Sequence, residues 1–425
     1  MTTADVLADL EARGLVHLTT DRDALAARLA RGRVTAYLGL DPTADSLHIG
    51  NLIGLLVLRR LGDAGHRVVG LAGGATGLIG DPSGRSDERN LLDDEILAAN
   101  VEAISAQIAR VVDPDGSRGA RFVDNRDWTD ELTLIDFLRD VGRHVTVNQM
   151  LARDSVRARL ESEQGISFTE FSYMLLQARD YVWLHDHHDV ELQVGGSDQW
   201  GNIVSGVDLV RRVRGVSVHA LCWPLLTGPD GAKLGKSTGG RVWLAAERTS
   251  PYQLFQHFIQ VDDAEVDRQL RWLTLLPVPE IEALVRAHGA DPARREAQRR
   301  LAREVTTVVH GAEAAAAAEE ASAVLFGGDP TGASAPALAA VAAEVPSVAL
   351  DGPEREGATV AGLLRDAGLV TSTSEARRAL DQGGVYLNGA RLGADRALGP
   401  ADLLHGRYAL LRKGKRAYAM AVAVP

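Results

Sequence analysis

The sequence predicts an α/β protein. A mainly parallel sheet with crossover helices fills residues 1–248. A helical stretch follows at 249–326, then a linker at 327–357 and a small α+β module at 358–425. Three observations predict this. Strand-like and helix-like runs alternate through the first half, the pattern of parallel strands joined by crossovers. Strand signals stop near Ser250, and helical patterns continue to about Leu325. Gly327 to Gly357 is rich in Gly, Pro, Ala, Ser and acid, and a compact stretch comes after it. At 425 residues the chain is too long for one core.

The elements follow in order. Val34 to Leu40 is a short apolar strand ending in the turn Asp41-Pro42-Thr43. A helix runs from about His48 to Ala64 and is closed by Gly65. Arg67 to Ala72 is a second strand, followed by Gly-rich turns. Leu97, Val101, Ile104, Ile108 and Val111 form the apolar stripe of an amphipathic helix. Arg121 to Val123, Glu191 to Val194 and Val216 to Cys222 are further strands. Ser250-Pro251 reads as a helix start, with Ser as cap and Pro in the first turn. A short helix is expected at about Pro336 to Glu344. In parallel sheets ligands sit at the carboxyl ends of the strands, so the turns after strands are where chemistry is sought.

Composition narrows the class. Hydrophobic residues make up 45% and charged residues 24%, as in ordinary globular proteins. No stretch approaches the roughly 18 uninterrupted apolar residues of a membrane helix. Met1 to Leu10 carries acids and lacks a signal-peptide pattern. The only cysteine is Cys222, which excludes an intramolecular disulfide and suits a reducing, cytoplasmic setting. The net charge is −11, yet Ala361 to Pro425 holds ten Arg and Lys against five Asp and Glu. A basic module on an acidic body can hold a polyanion locally. The run His185-Asp186-His187-His188-Asp189 lacks the spacing of zinc sites and has no Cys beside it, so no metal site is expected. It reads as a solvated loop before a strand.

Two segments carry chemistry. In Tyr37-Leu38-Gly39-Leu40-Asp41-Pro42-Thr43 and Ser46-Leu47-His48-Ile49-Gly50-Asn51, a strand ends at a turn and a helix begins. A helix N-terminus offers free N–H groups and a positive dipole end to an anion such as phosphate. Gly50 leaves room for a ligand near the backbone, and His48 and Thr43 could donate to phosphate oxygens. A His at a helix start is also a common cap. The second segment, Lys233-Leu234-Gly235-Lys236-Ser237, lies between Gly228-Pro229-Asp230-Gly231 and Gly239-Gly240. Two lysines in such a loop can close over a polyphosphate. An exposed basic loop fits the same five residues.

Together these segments resemble the paired signatures of class I aminoacyl-tRNA synthetases, HIGH and KMSKS in the usual shorthand. Three longer strings narrow the resemblance to bacterial-type tyrosyl-tRNA synthetases. They are Gly73 to Gly84, Phe168 to Tyr173 with Gln177 and Asp180, and Gly195 to Ile203. The resemblance covers nearly the whole chain. It implies a Rossmann-like catalytic domain with a connective insertion, a helical anticodon-binding domain and an S4-like RNA-binding domain.

It also implies an activity. Tyrosine is activated by ATP to tyrosyl-adenylate, with magnesium carried by ATP and no tightly bound cofactor. The tyrosyl group then passes to the 3′-terminal ribose of tRNA(Tyr). Carried over by position, Tyr37 and Asp180 hold the substrate phenol, and Asp81, Tyr173 and Gln177 hold its ammonium. Gln199 meets the carboxyl or α-phosphate, Gly39 and Asp41 line the adenylate side, and Asp198 meets the ribose. Thr43, His48, Lys233, Lys236 and Ser237 handle the polyphosphate, with Gly50 and Asn51 beside them. A site built to bond a hydroxyl rejects phenylalanine, and tyrosyl-tRNA synthetases are themselves the standing example of that discrimination. Asn51 stands where the family has a second His, Gly235 where Ser is usual, and Arg85 is assigned weakly to phosphate or tRNA. The resemblance further implies a homodimer, with tRNA reaching across both subunits and no membrane association.

The tail reads as helices followed by a small sheet. Arg377, Arg378, Arg412, Lys413, Lys415 and Arg416 would face RNA phosphates, setting affinity more than sequence choice. Tryptophanyl-tRNA synthetases are the nearest alternative in fold. The S4-like tail and the Tyr37–Asp180 pair argue against them.

Overall fold

The computed structural model describes residues 2, 5–83, 93–160, 165–225, 241–351 and 357–424. Their contacts form two compact units, Met1–Arg248 with Asp263–Asp291, and Thr249–Asp262 with Pro292–Pro425. The helical stretch read at 249–326 is thereby divided between them.

In the first unit six strands share one sheet. They are β1 (Leu18–Thr19), β2 (Thr35–Leu40), β3 (Arg67–Ala72), β4 (Arg121–Asp124), β5 (Val190–Gly196) and β6 (His219–Trp223). Their order is β1-β6-β5-β2-β3-β4. Strands β2 to β6 are parallel, and β1 runs antiparallel along β6. The chain moves outward from β2 to β4 on one side, then returns to place β5 on the other side of β2. That reversal opens a crevice at the carboxyl ends of β2 and β5, where ligands bind in such sheets.

Residues Thr35 to Leu38 are buried because helices cover both faces of the sheet. The helix Ile49–Asp63 buries ten residues and packs against β2 and β3. The helix Asp94–Val112 rests directly on β3, since a Cβ at Gly70 would lie 2.7 Å from Ile108 Cγ2. Cys222 is buried on β6 beside Ile203 and Ala220. Burial pushes its thiol up to about 12.

Two sequence readings change here. The Gly-rich turns after β3 are in fact a helix, Gly74–Ile79. Its glycines serve close approach: a Cβ at Gly73 would lie 2.3 Å from Asp41 Oδ1, and one at Gly74 would lie 2.4 Å from Asp124 Oδ1. The His185–His188 run is also not a loop. It forms the last turn of the helix Phe168–His188, and the connection to β5 shrinks to Asp189 at φ 53°. Histidine is favourable at a helix C-terminus, which the periodicity of a short polar run does not reveal.

In the second unit the helix Pro251–Ile259 starts at a capping box between Ser250 and Gln253. Helices Glu296–His310, Ala312–Leu325 and Ala335–Glu344 follow. The span 327–357 contains that last helix and a strand, β7 (Ser347–Leu350). Strands β8 (Val385–Leu387), β9 (Ala390–Leu392), β10 (Tyr408–Lys413) and β11 (Ala417–Ala423) complete a sheet of order β7-β11-β10-β8-β9. Side chains alternate across it. Ala409, Leu411, Ala419 and Ala421 join Leu363, Leu364 and Leu380 on one face. Tyr408, Leu410, Tyr418 and Met420 join Val324, Leu338 and Val341 on the other. Among the described residues no helix is long and apolar enough to cross a membrane.

Candidate active site

At the crevice lies a cleft of about 340 Å³. It is lined by Tyr37, Gly39, Asp41, Thr43, His48, Gly50, Asn51, Asp81, Tyr173, Gln177, Asp180, Asp198 and Gln199, which are all the described residues predicted for tyrosine and ATP. Lys233, Lys236 and Ser237 lie outside the described residues, as do Gly235 and Arg85.

Tyr173, Gln177 and Asp180 recur at spacings of four and three, so one face of the helix Phe168–His188 presents all of them. Asp180 is buried and accepts from Asn125 Nδ2 at 3.0 Å and Trp128 Nε1 at 2.8 Å. Burial pushes its carboxyl up to about 7, although the two donors pull it down. On β2, the Tyr37 side chain is 1% exposed and its hydroxyl finds no hydrogen-bond partner among the described residues. Burial, then the nearby Asp180, raises that phenol well above its ordinary value, so it remains an O–H donor. The Oε1 atoms of Gln177 and Gln193 line the same cleft, also without partners among the described residues. Buried polar groups are nearly always bonded, so a cluster of orphans marks a place for a polar ligand.

Midway, Asp81 accepts from Gln199 Nε2 at 2.6 Å, Ser83 N at 2.9 Å and Asn202 Nδ2 at 3.3 Å. Asp41 accepts from Thr76 Oγ1 at 2.7 Å and the Tyr173 hydroxyl at 2.8 Å. The sequence reading gave no role to Thr76 and Asn202, which lie within the strings that carry the resemblance, and passed over Asn125 and Trp128. Asn125 and Trp128 follow β4 directly, so the rule about carboxyl ends of strands could have found them.

At the open end His48 caps the helix Ile49–Asp63. Its Nδ1 accepts from Gly50 N at 3.1 Å, and Asn51 Oδ1 accepts from His48 N at 3.0 Å. Burial, and then the charge of Arg241, lowers the imidazole to about 4. The ring is therefore neutral at pH 7 with its proton on Nε2, free to donate. A Cβ at Gly50 would lie 2.9 Å from the His48 ring, so this glycine makes room for the cap itself. Ile49 N donates to Val242 O at 3.1 Å and Leu244 N to Leu47 O at 2.8 Å, which ties residues 242–244 to the helix start. Arg241 and Trp243 line the cleft beside His48. Neither was singled out in the sequence.

The comparisons with known proteins divide the chain in two. Residues 29–327 match the family model of tRNA synthetases class I (W and Y), which does not choose between tryptophan and tyrosine enzymes. Residues 337–421 match the tyrosine–tRNA ligase SYY-like C-terminal domain. The chain belongs to the tyrosine–tRNA ligase family. A relative in that family, from Opitutus terrae, is 51% identical over 97% of this chain and 98% of its own. Another, from Roseiflexus castenholzii, is 50% identical over the same shares. Among solved structures, a C-terminally truncated mitochondrial tyrosyl-tRNA synthetase from Aspergillus nidulans is 33% identical, with a TM-score of 0.69. That match covers 76% of this chain and 94% of the other.

The residues predicted to meet RNA lie in the second unit of this tyrosine–tRNA ligase family member. Arg377 and Arg378 are exposed on the helix Thr373–Asp381. Arg377 Nε pairs with Asp395 at 3.4 Å. Lys415 and Arg416 are exposed at the β10–β11 turn, beside Gly414 at φ 65°. Arg412 and Lys413 are more occupied. The Arg412 guanidinium lies 4.0 Å from the centroid of the Tyr386 ring. Lys413 Nζ donates to Leu369 O at 2.9 Å and Glu375 Oε1 at 2.8 Å. The bond from Lys413, with two from Thr371, brings the Glu375 carboxyl down to about 2.

Proposed function

We propose that this chain activates tyrosine with ATP and charges tRNA(Tyr) with it. The observation that carries the reading is the unpartnered Tyr37 hydroxyl beside the buried Asp180 at the closed end of the cleft. A substrate phenol satisfies both, accepting from Tyr37 and donating to Asp180. Phenylalanine leaves the Tyr37 hydroxyl unpaired, at about 1–3 kcal/mol for a buried group, and gives Asp180 no donor beyond Asn125 and Trp128. Pyrophosphate exchange across the amino acids tests it. Tyrosine alone should drive exchange, and equal exchange with tryptophan would overturn the reading.

In the first step the tyrosine carboxylate oxygen attacks the α-phosphorus of MgATP. The bond to the bridging oxygen breaks and pyrophosphate leaves with the magnesium, which phosphates and water hold more than protein does. The substrate supplies its own nucleophile, so the protein's part is positioning and charge stabilisation. Asp81, Tyr173 and Gln177 hold the ammonium, and Gln199 the carboxyl or α-phosphate. Gly39 and Asp41 flank the adenylate, and Asp198 meets the ribose. His48 Nε2–H and Thr43 donate to the phosphates beside Gly50 and Asn51, and Lys233, Lys236 and Ser237 supply further contacts to the polyphosphate. In the second step a terminal ribose hydroxyl of the tRNA attacks the acyl carbon. The bond from the acyl carbon to the phosphate oxygen breaks, and the hydroxyl proton passes to the phosphate of the departing AMP.

In this reading residues 1–248 perform activation, while 249–326 and 358–425, joined through 327–357, hold tRNA through Arg377, Arg378, Arg412, Lys413, Lys415 and Arg416. The active species is a homodimer in the cytoplasm. Leu134, Ile135, Leu138 and Val147, exposed on two neighbouring short helices, support a self-association face, and light scattering gives the mass. The lone buried thiol needs no oxidising compartment.

A further inference from the structure

Asp180 takes both donors from one small element, the turn at Asn125 and the four-residue helix Arg126–Thr129 that carries Trp128. So short a helix has little stability of its own. The side chain of Asn125 is tied down by bonds with Ala75 N and Thr76 Oγ1. The Trp128 ring is held differently. It lies flat on Trp183, with centroids 4.0 Å apart and planes 13° apart. His187 stacks on Trp183 in turn, at 4.1 Å and 13°, and its Nδ1 is 2.8 Å from Trp183 O.

Asp180, Trp183 and His187 recur at spacings of three and four on the helix Phe168–His188, so they form one stripe. That helix grips Trp128 at two points. The carboxyl of Asp180 takes the indole N–H, and the Trp183 ring covers the indole face. Trp183 and Trp128 are both absent from the cleft lining, so neither touches substrate there, and Trp183 also packs against the cluster that holds Tyr37.

We propose that Trp183 is a positioning residue for selection of the tyrosine hydroxyl, fixing through its stack on Trp128 the N–H that orients the Asp180 carboxyl. A carboxyl can swing about its last bond. The N–H on Oδ1 and the amide on Oδ2 leave it one orientation in which a lone pair faces the substrate phenol. Loosening Trp128 frees that rotation without removing any group from the cleft. The proposal rests on the reading of Asp180 given above.

The test compares Trp183→Leu, which fills space without a flat face, with Trp183→Phe, which keeps one. Pyrophosphate exchange is measured with tyrosine and with phenylalanine. Trp183→Leu should raise KM for tyrosine and lower the tyrosine-to-phenylalanine preference about three- to tenfold, the worth of one aromatic stack. KM for ATP should not move, and Trp183→Phe should recover most of the preference. An unchanged preference, a matching rise in KM for ATP, or a Trp183→Phe protein no better than Trp183→Leu overturns the proposal. If Trp183→Leu does not fold, Trp183→Met is read in its place. Asp180→Asn is run alongside. Should it also keep the preference, the pocket reading itself fails. Should it lose the preference while Trp183→Leu keeps it, only the stack fails.

Discussion

At Asp180 burial raises the carboxyl to about 7, where an exposed Asp releases its proton near 4. Between those values the unfolded chain gives up a proton that the folded chain keeps. The stability tied to this group is therefore full below about pH 4 and is lost as pH rises through about 7. Function runs the other way, because the ionised carboxylate is the better acceptor for a phenol. We expect kcat/KM for tyrosine to climb with pH through about 7 in the wild type and to lose that step in Asp180→Asn. A pH profile of pyrophosphate exchange measures it, and an identical step in both proteins would assign the titration elsewhere. His48, held near 4, is already neutral as pH rises through about 7 and does not blur that step. Tyr37 and Asp180 were nameable only through the family resemblance. Their pairing was not legible from spacing, since a strand near residue 37 and a helix near 180 meet only when the sheet has formed.

Elements show which signals survive in a sequence. The strands β2 and β3 and the helix Asp94–Val112 stood out because buried strands and amphipathic helices carry strong apolar patterns. The helix Gly74–Ile79 did not, because its glycines suit turns in every local rule. Only the approach of Asp41 and Asp124 explains why no side chain is present there. The final turn at His185–His188 was hidden for the same reason, a local composition that suits loops. Close approach also makes a prediction at β3. Gly70→Ala would push a methyl toward Ile108 and should destabilise the first unit by about 1–3 kcal/mol. Thermal melting checks it, and an unchanged midpoint would show that the Asp94–Val112 helix can retreat freely.

Across the whole molecule the proposed division of tasks follows the charge, with ten Arg and Lys against five Asp and Glu from Ala361 to Pro425. Removing Lys415 and Arg416 by alanine should lower the salt dependence of tRNA binding by about 0.7–0.9 in log–log slope for each phosphate left unneutralised. Pyrophosphate exchange should be unchanged. Ending the chain at residue 357 should spare adenylate formation and impair tRNA charging, and equal loss of both would reject the division of labour. The structure adds a cost to that truncation. It strips β10 and β11 from the apolar faces of Val324, Leu338 and Val341, and it leaves β7 without its neighbour. The truncated protein should therefore be less soluble than the full chain. Neither that shared core nor the strand within 327–357 was legible, because Ala-rich and Pro-rich composition looks the same in a linker and in a packed connection.

Cys222 turns this arrangement into an instrument. A solitary thiol, sealed in β6 and pushed up to about 12, is inert to maleimides while the first sheet holds together. Labelling then occurs only when that sheet opens, so its rate times the opening. The native chain also serves as a silent background, in which a cysteine introduced at the β10–β11 turn would be the only one to take a fluorophore.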